Sequence, residues 1–268
     1  MRTAPPTPHH LSHLDRAWLE EVAAEARKHW EAIRRSGSPA EKGKALTHLS
    51  ACLADLEGPV PALRLSRRAL RFFQQAGDPT KLAVSKGLLA IRLLEAGRPQ
   101  EALHCSAQAL EDHRNLEPDR RHPKLMRSLA GAFLRAGWTV EAQAWLELVL
   151  ECPTFEDHGE VLEALARILP TEAALERQAQ ACAAYHRQDR PVSAAHAMLT
   201  LAHLELHLGH AWEAETLCKE AVELLVLHLG DVPSEARRLV QLCQAACRRR
   251  RHNSRPSLLE ARPDSTGH

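Results

Sequence analysis

Residues 88–103 read Leu88-Leu89-Ala90-Ile91-Arg92-Leu93-Leu94-Glu95-Ala96-Gly97-Arg98-Pro99-Gln100-Glu101-Ala102-Leu103: a helical run, a stop and a new helical start. The apolar residues before Gly97 recur at helical spacing, Gly97 supplies the left-handed terminator, and Pro99 falls in a first turn where its missing N–H costs nothing. Two helices joined by a tight turn are therefore predicted. The same arrangement returns along the chain. Ala62 to Leu70 is echoed forty residues later by Ala102 to Leu110, and Glu141-Ala142-Gln143-Ala144-Trp145 follows after forty more. In the pairs Ala62/Ala69, Ala102/Ala109, Ala174/Ala181 and Ala214/Ala221 the members all stand seven positions apart. Two helices can cross closely only where small side chains meet, so alanine in register predicts hairpins stacked on one another.

Turn signals at Gly58-Pro59, Gly77-Asp78-Pro79, Gly97, Gly137, Leu169-Pro170, Arg190-Pro191, Gly209 and Gly230 to Pro233 divide the chain into predicted helices. These span 13–35, 40–56, 60–75, 80–96, 99–114, 122–136, 139–151, 156–168, 171–187, 192–208, 211–229 and 233–249. Composition agrees with helix throughout. Isoleucine occurs 3 times and aromatics make up 4% of 268 residues, which argues against strands. A 44% apolar content is enough for a sizeable core, and the formal charge of +1 neither requires nor forbids a nucleic-acid or membrane partner. Seven scattered cysteines inside apolar helical patterns read as core thiols in a reducing, cytoplasmic setting. The opening MRTAPPTPHH lacks the apolar core of a signal peptide, so an unexported protein is expected, and the arginine-rich, asparagine-poor composition suggests a GC-rich bacterial source.

On these residues the chain resembles the tetratricopeptide repeat family, in the long-period bacterial version of about forty residues. Gly209-His210-Ala211-Trp212-Glu213-Ala214 and Gly137-Trp138-Thr139-Val140-Glu141-Ala142 are further copies of the 88–103 pattern. The usual aromatics of both helices are replaced by Leu, Ser or Ala, and the closing proline is mostly missing. The resemblance implies an all-α, right-handed superhelical solenoid of stacked antiparallel helix pairs. Five pairs are expected over 40–229, with a capping helix at 12–36, another at 233–250, and disordered ends at 1–11 and 251–268.

It also implies that the first helix of each pair lines a concave groove for a peptide. Transferred to this chain, the lining is Lys44, Thr47, Ala51 and Asp55; Val84, Gly87, Ile91 and Leu94; Lys124, Arg127, Gly131 and Arg135; then His196, Leu199, His203 and His207. Small residues Ala51, Gly87 and Gly131 would leave room for a ligand backbone, and the cations would pair with carboxylates, so an apolar ligand with acidic character is expected. With Asn115 and Asn253 the only asparagines, and neither in the groove, recognition of chaperone tails is disfavoured.

Chemical motifs are lacking. No two of the 12 glycines are closer than six residues apart, which excludes GxGxxG and GxxxxGKS/T phosphate loops and the GxSxG elbow. HExxH and CxxC are also missing, so neither catalytic residues nor a cofactor are expected. His203 and His207 share a helix face and could chelate a metal, but the expectation is a polar lining without metal. Cys243 and Cys247, beside the arginine run, are expected to be core thiols rather than reactive ones. Trp18, Trp30, Trp138, Trp145 and Trp212 are likewise read as core. Arg248, Arg249, Arg250 and Arg251 offer a nucleic-acid contact, although a basic helix end is the simpler reading. The expected function is a non-catalytic protein- or peptide-binding scaffold. The alternatives are a bacterial transcriptional or stress-response module touching nucleic acid through that basic end, and a phosphatase-like regulator. No membrane partner is expected, and self-association stays open.

Overall fold

The computed structural model describes residues 13–253, with side chains described over 15–249. Among the described residues there are twelve α-helices: α1 (His13–Ile33), α2 (Pro39–Glu57), α3 (Pro59–Ala76), α4 (Pro79–Glu95), α5 (Pro99–Arg114), α6 (Pro123–Arg135), α7 (Thr139–Leu150), α8 (His158–Ala166), α9 (Thr171–Arg187), α10 (Pro191–His207), α11 (Ala211–Leu229) and α12 (Ser234–Asn253). A short 3₁₀ turn at Pro118–Arg120, not anticipated from sequence, precedes α6. The segments 1–12 and 254–268, including most of both ends expected to be disordered, lie outside the described residues.

The helices form two compact units, dividing between Glu156 and Asp157. In the first, each helix from α1 to α4 packs on the next, α6 packs on α7, and α4 also meets α6. In the second, α8 to α12 pack in succession and α10 also meets α12. Each unit is thus a stack of antiparallel helix pairs, with α4 meeting α6 in the first and α10 meeting α12 in the second.

The alanine register explains this packing. Ala62 and Ala69 of α3, Ala102 and Ala109 of α5, Ala142 of α7, Ala174 and Ala181 of α9, and Ala214 and Ala221 of α11 are all 2% exposed or less. A larger side chain at any of them would push two helices apart. Turns are fixed by local chemistry. Ser38 and Glu41 form a reciprocal capping box at the start of α2, and Asp78 caps α4 by accepting from the Lys81 N–H at 3.1 Å. After α4, Gly97 takes φ +68° while the Arg98 N–H reaches back to Leu93 O at 2.8 Å. At the end of α9 the same left-handed step is taken by Asp189, at φ 52°, with the Arg190 N–H on Tyr185 O at 3.0 Å.

Few polar groups enter the core, and most are bonded there. Ser50 Oγ lies 2.7 Å from Ser66 Oγ and donates to Ala62 O, Trp145 Nε1 donates to Ser106 Oγ at 2.8 Å, and Gln178 Nε2 donates to Ala197 O at 3.0 Å. His113 is the exception: fully buried, edge-on to Trp145, with no partner at either ring nitrogen. Burial, with the His122 charge second, pushes its imidazole down to about 4; Asp112 opposes this and Arg121 adds to it. None of the seven cysteines is in a disulfide, and all are buried, as expected. Trp30 and Trp145 are core residues, but Trp18 and Trp212 are each 62% exposed, contrary to the expectation, because each sits on the outward face of its helix.

Candidate functional site

In the first unit, α2, α3, α4 and the start of α6 enclose an open cavity of about 420 Å³. Its volume lies within the range of small-ligand and side-chain pockets. Helix α2 contributes Lys44, Thr47, His48 and Ala51; α4 contributes Thr80, Lys81, Val84, Ser85 and Leu88; Phe73 comes from α3 and His122 from the N-cap of α6. The spacing of four between Lys44 and His48, and of four between Val84 and Leu88, puts each set on one helix face.

The apolar floor has a local cause. A β-carbon on Gly43 would stand 2.7 Å from the Phe73 ring, so only glycine lets that ring lie against the α2 backbone. Thr47 spends its hydroxyl on Gly43 O at 2.9 Å, leaving its methyl to the surroundings. Around this floor stand Lys44, His48, Lys81 and His122, and no carboxylate lines the cavity. The Lys81 ammonium is engaged by Asp78, whose carboxyl it holds below the usual range, whereas Lys44 has no ion-pair partner among the described residues. His122 Nδ1 accepts from the Leu125 N–H at 3.4 Å. The Thr80 hydroxyl oxygen is buried without a hydrogen-bond partner. A ligand bringing apolar surface and an acceptor oxygen matches this lining.

The cavity gathers Lys44, Thr47, Ala51 and Val84 of the predicted lining, and not the others. Ile91 is half-buried further along α4, and Lys124 and Arg135 are exposed on α6. The Arg127 guanidinium lies 5.9 Å from the Phe155 ring, so it is engaged in packing. Gly87 does not open a groove: a β-carbon there would meet the Leu125 side chain at 3.2 Å, and its smallness serves the approach of α4 to α6. At Gly131 the expected room exists, since a β-carbon would meet only the Arg135 side-chain end at 3.6 Å.

In the second unit, α10 carries His196, His203 and His207 exposed, while Leu199 packs against the cluster of Ala202, Ala214, Cys218 and Cys243. His203 Nε2 and His207 Nε2 are 3.0 Å apart. Among the described residues no group of three or more His, Cys, Asp or Glu side chains is arranged to hold a metal. Arg248 and Arg249 are exposed near the end of α12; the side chains of Arg250 and Arg251 lie outside the described residues. Sequence reasoning missed His48, Phe73, Thr80, Lys81, Ser85, Leu88 and His122. Of these, His48, Lys81 and Leu88 were within reach by extending the two helix faces, whereas Phe73 and His122 arrive from other helices. No described helix is long and apolar enough to cross a membrane.

No protein-family model matches the sequence, and no curated protein matches it. Solved structures do resemble it. BtubC (BKLC) from P. vanneervenii superposes with a TM-score of 0.60 at 22% identity, covering 81% of this chain and 94% of that one. A Podosopora anserina protein of nearly identical TPR-like repeats superposes with a TM-score of 0.53 at 18% identity, over 70% and 96% of the two chains. With the alanine register and paired helices described above, these likenesses establish the fold: this chain is built of tetratricopeptide-like helical repeats.

Proposed function

We propose that the chain is a non-catalytic scaffold that binds a peptide segment of another protein, and that the first unit's cavity receives an apolar side chain flanked by acidic residues. The observation that carries the reading is the cavity itself: an apolar floor of Phe73, Ala51, Val84 and Leu88, ringed by Lys44, Lys81, His48 and His122 without a carboxylate. Apolar burial supplies affinity, and the Lys44 ammonium, without an ion-pair partner among the described residues, favours an acidic flank on the ligand. The buried Thr80 hydroxyl gives such a ligand one hydrogen bond that the free chain leaves unmade.

Selection of peptides from a random displayed library against the purified chain tests this. Enriched sequences should place Leu, Ile, Phe or Met beside Asp or Glu. Their binding should fall by about tenfold or more in Lys44→Glu and in the cavity-filling Ala51→Trp. Enrichment without that pattern, or binding indifferent to both substitutions, overturns the reading. For the rival assignment to a regulatory module touching nucleic acid, the discriminating measurement is DNA affinity across a salt series with and without residues 248–268. A basic contact there predicts a steep loss of affinity with salt, and none once the segment is removed.

A further inference from the structure

We propose that His203 and His207 form a two-point chelate for a divalent first-row transition-metal ion, Cu²⁺ foremost. Sequence spacing, which allowed a chelate but favoured a polar lining, leaves the ring directions open. The structure supplies them. The two residues stand one above the other on α10, their rings are nearly perpendicular at 86° with centroids 4.5 Å apart, and their Nε2 atoms converge to 3.0 Å. Both side chains are exposed, so an ion reaches them without disturbing the core. The opposite face of α10 is anchored by Ala194, Ala195, Met198, Leu201 and Ala202, all buried, which fixes the backbone from which the rings project.

The separation also bears on the identity of the ion. Bonds from imidazole nitrogen to such metals run to about 2.0–2.1 Å, so two nitrogens at the observed 3.0 Å enclose an angle of about 90–100° at the metal. That is the angle between neighbouring ligands of a square-planar or tetragonal ion, the geometry preferred by Cu²⁺ and Ni²⁺. The general order of affinities for nitrogen ligands likewise places Cu²⁺ above Ni²⁺ and Zn²⁺. By themselves the two rings can share only one N–H···N hydrogen bond, which the ion replaces with two ligand bonds. With no third His, Cys, Asp or Glu in position among the described residues, the remaining coordination positions go to water.

The test is titration of the full chain with CuCl₂ in a non-coordinating buffer, followed by calorimetry and electron paramagnetic resonance. One ion per chain with nitrogen hyperfine structure is expected. His203→Ala and His207→Ala should each weaken binding by about tenfold or more, and His196→Ala, seven residues away on the same helix, should leave it unchanged. A parallel NiCl₂ and ZnCl₂ series should rank below Cu²⁺. Copper binding that survives both His203→Ala and His207→Ala, or that is undetectable at about 100 μM, overturns the proposal.

Discussion

Helix pairs α2/α3 and α8/α9 use one device to opposite ends. In each, a glycine of the first helix faces an aromatic ring of the second: Gly43 against Phe73, and Gly159 against Tyr185, where added β-carbons would stand 2.7 Å and 2.5 Å from the ring. In the first pair the ring is apolar to its tip and forms the floor of the cavity. In the second, the Tyr185 hydroxyl donates to Glu163 at 2.9 Å and the Arg190 guanidinium covers the ring at 5.1 Å, so the equivalent place is already filled by the chain's own side chains. One joint borders an open cavity and the other is covered by polar side chains. The lesson is that the same glycine–ring joint ends as an open cavity or as a covered contact according to whether the ring carries a polar tip.

The strongest way to break this comparison is to delete the rings. Phe73→Ala should cost about 3–5 kcal/mol of stability, as for other buried aromatics, and should abolish peptide binding, both readable by denaturant unfolding and a binding titration. Tyr185→Phe should cost only about 1 kcal/mol, the worth of its bond to Glu163, and leave peptide binding intact. Between these extremes, acid should separate the units. His113 lies in the first unit and its folded value, about 4, is below the ordinary 6.5. The stability it confers is complete above 6.5 and is lost as pH falls toward 4, because the unfolded chain takes up a proton that the folded chain refuses. The full loss is about 3 kcal/mol. Hydrogen exchange should show α5–α7 opening more readily than α9–α11 across that range, and His113→Gln should remove the difference. Gly43→Ala and Gly159→Ala, each forcing a ring to move, should cost about 1–3 kcal/mol apiece, with Gly43→Ala alone reshaping the cavity and weakening peptide binding.

Much of this was legible in the sequence because it is local. Helix ends followed from Gly97, Pro99 and their counterparts, and the pairing followed from alanines in register. Lys44, Thr47 and Val84 could be placed because the family resemblance assigns the first helix of each pair to the groove, and spacing along that helix then sets the face. Phe73 and His122 could not, since each reaches the cavity from a helix whose placement depends on packing. Gly87 shows the limit from another side: a missing side chain either leaves space or admits a neighbour, and only the position of Leu125 tells which. Trp18 and Trp212 were misread because a large apolar residue at helical spacing implies burial only where a neighbouring helix covers that face. The convergence of His203 and His207 depends on side-chain torsions that residue order does not fix.

The sequestered thiols carry a practical consequence. Burial pushes Cys105 and Cys182 up to about 11 and Cys218 to about 12, and raises Cys52, Cys152 and Cys243 as well. At neutral pH a group at 11 is thiolate in roughly one molecule in ten thousand, so electrophilic dyes find almost nothing to react with. With all seven natural thiols buried, a single cysteine engineered on the surface should take a label ahead of them, giving spectroscopy a handle without removing any natural residue.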